Sequence, residues 1–249
     1  MEIFMTLSQE IEELISAMAE NHAKSRYYRR PIVGYASAED PLYDQLDKII
    51  GNPQIHPRDM LPGARTVIVI FLPYSEIVYN DMKNGLLTSS VYSDAYMHTN
   101  ALLDDMAAKT GELLASKGYR SASEPPTENF DHVTKTASWG HKSNAVIAGI
   151  GTFGLNHLII TRSGCLGRMT SIVTDAYIEP GKRPERSYCL FYQTGKCRKC
   201  VDNCPSGALC SDGTIDKKRC DAYLEGKNIH DWQQGCPQCA LGPCAMRGF

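Results

Sequence analysis

Apolar residues recur at three- and four-residue intervals near the start of the chain, at Leu7, Ile11, Leu14, Ile15 and Met18. That spacing predicts an amphipathic helix with one face in a core. Thr6-Leu-Ser-Gln9 ahead of it reads as a capping box. The pattern breaks at Arg29-Arg-Pro31, and a polar, proline-bearing stretch follows, with a short apolar helix expected over residues 42–50. Leu61-Pro-Gly-Ala64 is turn chemistry, and the β-branched run over residues 66–72 predicts a buried strand. A long helix is expected from Ser93, with Tyr96, Leu102, Leu103, Met106, Leu113 and Leu114 on its apolar side and Gly118 ending it. Pro125-Pro126 predicts a loop, residues 139–148 a helix, and residues 155–161 and 168–174 two further strands.

At residues 179–186, Glu-Pro-Gly-Lys-Arg-Pro-Glu-Arg, the composition changes. Beyond it the chain is rich in cysteine and poor in apolar residues, so bound metal has to supply the cohesion a core would otherwise provide. The expected organisation is an α+β domain over residues 1–180 and a cysteine-rich domain over 181–249. The 249 residues carry a net charge of −2, which gives no global attraction to nucleic acid or anionic membranes. No apolar run approaches the roughly 20 residues of a membrane span, and the N-terminus lacks signal-peptide features. The expected location is the cytoplasm.

Nine of the ten cysteines fall between Cys189 and Cys244. In a reducing compartment such crowding points to metal rather than disulfides. Cys197-Arg-Lys-Cys200-Val-Asp-Asn-Cys204-Pro205 reproduces the last three members of the bacterial ferredoxin run, in which the final cysteine serves the other cluster of a pair. Thr194 stands in the place of the first member, and Cys189 is the nearest cysteine upstream. Cys220, the Cys236-Pro-Gln-Cys239 pair and Cys244 follow. Ferredoxin logic assigns Cys189, Cys197, Cys200 and Cys244 to one [4Fe–4S] cluster, and Cys204, Cys220, Cys236 and Cys239 to a second. Cys165 and Cys210 are left over. Zinc also uses such pairs, but the Cys204-Pro205 signature and the interleaved order favour iron and sulfide.

Gly149-Ile-Gly151-Thr-Phe-Gly154 matches the dinucleotide fingerprint, and Asp175 follows at a tempting distance. The expected neighbours are in the wrong order, a helix before and a strand after, so the glycines point to close approach of a loop to a ligand or another backbone. Trp139-Gly-His141-Lys142 groups an aromatic ring, an imidazole and a cation beside that loop, either as a solvated helix end or as a cofactor contact. Asp131 and His132 form a candidate acid/base pair. The basic residues between Lys182 and Lys199 either offset cluster charge or meet an acidic electron donor.

These residues make the chain similar to the epoxyqueuosine reductase family and its reductive-dehalogenase relatives. The resemblance rests on Cys197 through Cys204-Pro-Ser-Gly-Ala208 with Lys217-Lys-Arg-Cys220, on Gly235-Cys236-Pro-Gln-Cys239 with Cys244, and on Ala148-Gly-Ile-Gly-Thr-Phe-Gly154-Leu-Asn156 followed by Leu158-Ile-Ile-Thr161. It implies a nitroreductase-like, cobalamin-binding α/β fold fed by a double-cluster ferredoxin-like domain. By the same resemblance His141, Lys142, Gly149, Gly151, Thr152, Phe153, Gly154 and Asn156 contact a corrinoid, with Asp131 and His141 as the catalytic candidates. The chain departs from the family where Leu155 replaces a lysine, where Lys135 falls near the place of a catalytic aspartate, and where His141-Lys142 replaces a Glu-Arg pair. It also stops at Phe249, before the family's helical-repeat extension. The expected function is an iron–sulfur reductase that passes electrons through two clusters to a corrinoid and on to a small-molecule substrate, supplied by a donor such as ferredoxin or flavodoxin. A flavin in place of the corrinoid, or a pure electron carrier, are the alternatives. Nucleic acid and membrane are not expected partners, and the oligomeric state stays open, a homodimer included.

Overall fold

The computed structural model describes residues 5–85, 90–124, 130–131, 136–226 and 235–249. Pro125-Pro126, His132 and Lys135 lie outside these residues. In chain order the elements are α1 (Leu7–Asn21), β1 (Ile32–Ser37), α2 (Leu46–Ile50), α3 (Pro57–Met60), β2 (Thr66–Pro73), α4 (Glu76–Gly85), α5 (Ser90–Ser116) and β3 (Ser121–Ser123). The two-residue strands β4 (Phe130–Asp131) and β5 (Thr136–Ala137) follow, then α6 (His141–Ile147), β6 (Gly151–Phe153), β7 (Ile159–Thr161) and β8 (Gly167–Thr174). The cysteine-rich end holds α7 (Leu190–Thr194), α8 (Lys199–Asp202) and α9 (Lys217–Glu225).

The main sheet is antiparallel, in the order β1-β2-β8-β3. All eight residues of β2 are buried. Strand periodicity sends Ile68, Ile70 and Leu72 to one face, where they join Ile11 and Ile15 of α1 and Leu103 and Met106 of α5. Val67 and Val69 point the other way, to Trp139 and to Ala145 and Ile147 of α6. A strand covered on both faces needs apolar residues at every position, which is why β2 shows no alternation.

The capping box is formed, with the Thr6 hydroxyl accepting from the Gln9 amide while the Gln9 side chain accepts from the Thr6 amide. Helix α5 begins at Ser90, one turn ahead of the expected Ser93, and Gly118 follows it with φ +84. Its mid-helix Thr99 and Thr110 are buried, and their hydroxyls donate to the carbonyls of Ala95 and Met106.

Two readings need correction. Residues 155–161 are not one strand, since only Ile159–Thr161 is extended and it pairs back on Gly151–Phe153 as a hairpin. The Gly154 amide donates to the Leu158 carbonyl, and His157 takes the left-handed conformation (φ 58) that closes the turn. The proline-bearing stretch after Arg29-Arg-Pro31 also holds an unanticipated strand, β1. Its central Gly34 admits the side chain of Ile150, which would overlap any Cβ there.

The cysteine-rich end interlocks with the layered domain. The amides of Cys165 and Leu166 donate to the carbonyls of Cys244 and Ala245. Arg29 spans the join, donating from Nε to Tyr74 O (2.7 Å), from Nη1 to Met246 O (3.0 Å) and from Nη2 to Ser163 O (2.6 Å). Replacing Arg29 by Ala is expected to cost about 2 kcal/mol, because it leaves three carbonyls without their cationic donor. Hydrogen exchange at Cys165 and Leu166 is expected to quicken with it. Unchanged protection of those amides would show that the tail is held by other contacts.

Candidate metal centre and the recess beside it

Cys189 caps α7, its amide bonded to the Ser187 hydroxyl. Gly195, left-handed at φ 70, turns the chain toward Cys197, and Cys200 is buried in α8. Cys244 arrives from the tail. These four thiols line one cavity, together with Leu155, Asn156 and Ile160 from the β6–β7 hairpin. Among the described residues no three His, Cys, Asp or Glu side chains close on the position of a single ion; the four thiols line the cavity wall instead.

The second set gathers elsewhere. Cys220 sits on α9, and Cys236 and Cys239 flank the turn at Pro237. Burial pushes the Cys239 thiol up to about 12, with Cys236, Cys220 and Cys204 adding to the effect. Burial also raises Cys236 to about 11, again with Cys220 and Cys204 close by. Cys200 of the first set rises to about 11 through burial and through Cys244. Thiols held this way are protonated near neutrality, so they release protons when they become metal ligands. Cys204 differs. Burial opposes its ionisation, but the Ser206 hydroxyl and the amides of Leu209, Ala208 and Ser206 outweigh it and favour the thiolate. The left-over Cys165 is buried between the sets, its thiol donating to Cys244, while Cys210 is exposed.

The glycine loop packs against protein. A Cβ on Gly149 would lie 2.4 Å from the Lys182 carbonyl oxygen, one on Gly151 2.6 Å from that of Ile160, and one on Gly154 2.7 Å from Asn156 Oδ1. The Thr152 hydroxyl accepts from the Tyr188 amide (2.8 Å), and Phe153 is exposed. Asn156 is buried, and its amide donates to the Cys239 carbonyl (3.0 Å). Because it also lines the first cavity, Asn156 connects the hairpin to both cysteine sets.

His141 is buried against β8, where its Nδ1 lies 2.8 Å from Ser171 Oγ. Trp139 Nε1 and Asn144 Nδ2 both donate to that same oxygen, each at 2.9 Å. With its lone pairs engaged by two donors, Ser171 has its own proton left for His141 Nδ1, which assigns the ring proton to Nε2. Asp131 is exposed on β4.

Lys142 stands beside a cluster of cations and tyrosines, its amine donating to the His157 carbonyl at 3.2 Å. Its side chain keeps contact with solvent, yet its pKa is lowered, first by desolvation and then by Lys217 and Arg168. Cys239 acts in the opposite direction. The Arg168 guanidinium stacks 4.2 Å from the centroid of Tyr96, and Tyr74, Tyr92 and Tyr96 meet edge to face. Cys236 lies within electrostatic reach of Tyr92. Three cations and three tyrosines are thus grouped toward the second cysteine set. Arg168 and Ser171 escaped the sequence reading because each interrupts an apolar strand that reads as core; a lone arginine within such a strand is the one signal that was available.

A layered α/β domain with a cysteine-rich end packed at its edge describes the class of protein. The chain is similar to the epoxyqueuosine reductases, and its fold is shared with the reductive dehalogenases. The epoxyqueuosine reductase of Bacillus cereus is 28% identical over 217 residues, 84% of this chain and 51% of the relative. The chain thus spans about half the length of the curated relatives it matches. A crystal structure of epoxyqueuosine reductase with an epoxyqueuosine-modified tRNA stem loop superposes with a TM-score of 0.62 at 23% identity, covering 98% of this chain and 68% of that one. A reductive dehalogenase whose structure suggests a mechanism for B12-dependent dehalogenation superposes at 0.58 with 15% identity, over 84% of this chain and 28% of that one. No family model matches the sequence. The tRNA stem loop held by one neighbour runs against the expectation that nucleic acid is not a partner. No described helix is long and apolar enough to cross a membrane.

Proposed function

We propose that the protein is an iron–sulfur reductase that passes electrons through two [4Fe–4S] clusters to an organic cofactor, which reduces a small substrate. The observation that carries this reading is the division of eight cysteines into two quartets, one of them ringing a cavity against the β6–β7 hairpin. Thiolates at these positions suit iron in a cubane, with backbone amides near Cys204 ready to stabilise the charged ligand. The cofactor is a corrinoid by likeness to the relatives, with a flavin as the alternative. When bound, such a group supplies low-potential reducing chemistry at its metal or ring.

The side of the molecule beside Cys236 and Cys239 is the place we assign to cofactor and substrate, since Gly149, Gly151 and Gly154 lie close against the protein's own atoms. Lys142, Lys217 and Arg168 there favour anionic groups. Asn156 steadies the Cys239 backbone between hairpin and cluster. His141 Nδ1 is held against the Ser171 hydroxyl. A tRNA substrate is the second reading, favoured by the stem loop in the neighbouring structure.

Anaerobic purification or reconstitution with iron and sulfide is expected to yield two cubanes per chain, reducible in electron paramagnetic resonance. Incubation with cobalamin is expected to leave corrin absorbance on the desalted protein. Zinc in place of iron would end the redox reading. Retention of a flavin with no corrin would move the assignment to the alternative, and clusters with no organic cofactor would leave an electron carrier.

A further inference from the structure

We infer that the basic groove beside the first cysteine quartet is the docking site of an acidic electron-donor protein carrying a flavin or an iron–sulfur centre. This rests on the reductase reading above and assigns the point where electrons enter. The groove is broad and open, about 1240 Å³, and its walls include Arg162, Lys182, Arg183, Arg186, Tyr188 and Phe249.

Charge is segregated here. The whole chain has 26 cations against 28 acids, yet residues 182–199 hold six cations and a single acid, Glu185. All six are exposed. Arg183 is paired with Asp40 at 3.0 Å, whereas Lys182 and Arg186 have no ion-pair partner among the described residues. A one-signed surface of this kind raises encounter rates with oppositely charged partners.

Position gives the surface its purpose. Tyr188 in the groove wall immediately precedes Cys189, and Lys199, between the ligands Cys197 and Cys200, lines the cavity of the first quartet. The cations around Lys142 lie toward the second quartet instead. On the reading above, electrons enter at the first quartet and leave at the second, toward those cations. A nucleic-acid substrate would have to reach that side, so the groove suits the donor better than the substrate. Each encounter moves one electron. The reduced donor loses it, the first cluster gains it, and no bond or proton changes hands.

The test uses the reconstituted holoprotein and stopped-flow reduction of its clusters by reduced flavodoxin, an acidic flavoprotein, across a range of ionic strength. Lys182→Glu/Arg186→Glu is expected to slow reduction about tenfold at low salt and to flatten the salt dependence. Lys48→Glu/Lys83→Glu changes the net charge equally at exposed sites on α2 and α4 and is expected to leave the rate nearly unchanged. Photoreduction by deazaflavin, which needs no docking, is expected to be equal in all three proteins. An unchanged flavodoxin rate in the first variant, with normal photoreduction, overturns the docking site and leaves the reductase reading intact. Clusters absent or refractory to photoreduction overturn both. If that variant instead loses binding of an RNA stem loop while flavodoxin reduction persists, the groove is a nucleic-acid surface and the proposal fails.

Discussion

Cys200→Ala is expected to remove half of the iron and sulfide of the holoprotein and to loosen the segment from Cys189 to Phe249. Cys200 is buried at the cavity it shares with Cys189, Cys197 and Cys244. Packing alone would make this a small change, about 1 kcal/mol for a sulfur atom lost from a core. The metal makes it large. The segment is built on helices of five, four and nine residues and has few apolar side chains of its own. On the cluster reading its cohesion depends on ligand bonds, and structural metal sites contribute on the order of 10 kcal/mol to folding. Iron and sulfide assays on anaerobic protein, with near-ultraviolet circular dichroism, read the two effects together. Cys210→Ala, at an exposed thiol, is the control and is expected to keep the full complement. The quartet assignment fails if Cys200→Ala retains two cubanes, or if Cys210→Ala loses one.

That proposed assignment rests on cysteine spacing, which the sequence displays directly. Cys197, Cys200 and Cys204 announce themselves by interval, and the interleaving follows from the chemistry of two adjacent cubanes. Strand β2 was legible for a related reason, since eight buried positions in a row leave little but β-branched and aliphatic residues to choose from. Strand β1 was not, because Gly34, required by the approach of Ile150, weakens the signal of its neighbours. Edge strand β3 is Ser-Ala-Ser and carries no apolar pattern at all. The cluster of cations and tyrosines was invisible for a deeper reason. Lys142, Arg168, Tyr92 and Lys217 come from four separate elements, and only the folded chain brings them to Cys236 and Cys239. The glycine motif lies close against the protein's own backbone, one of the two roles its pattern left open.

The polar cluster on β8 carries the other large effect. Ser171 is fully buried, and its oxygen receives Trp139 Nε1–H and Asn144 Nδ2–H while its proton meets His141 Nδ1. Ser171→Ala removes one small hydroxyl but leaves two buried donors and one buried acceptor without that partner. Each orphaned group costs about 1–3 kcal/mol, with some relief as side chains shift, so a loss of about 3–4 kcal/mol is expected in denaturant unfolding. A plain loss of volume on going from Ser to Ala would cost far less, which separates the two explanations. The double variant Ser171→Ala/Asn144→Leu removes one orphan along with the hydroxyl. It is expected to recover part of the stability, because these groups act as one network rather than as independent contacts. The imidazole supplies an independent readout. With the hydroxyl gone, Nδ1 loses the donor that holds the ring proton on Nε2, and the nitrogen-15 shifts of His141 are expected to report mixed tautomers. If Ser171→Ala unfolds within about 1 kcal/mol of the parent and the His141 shifts do not move, the hydroxyl is not what organises this face of the sheet, and the tautomer assigned to His141 falls with it.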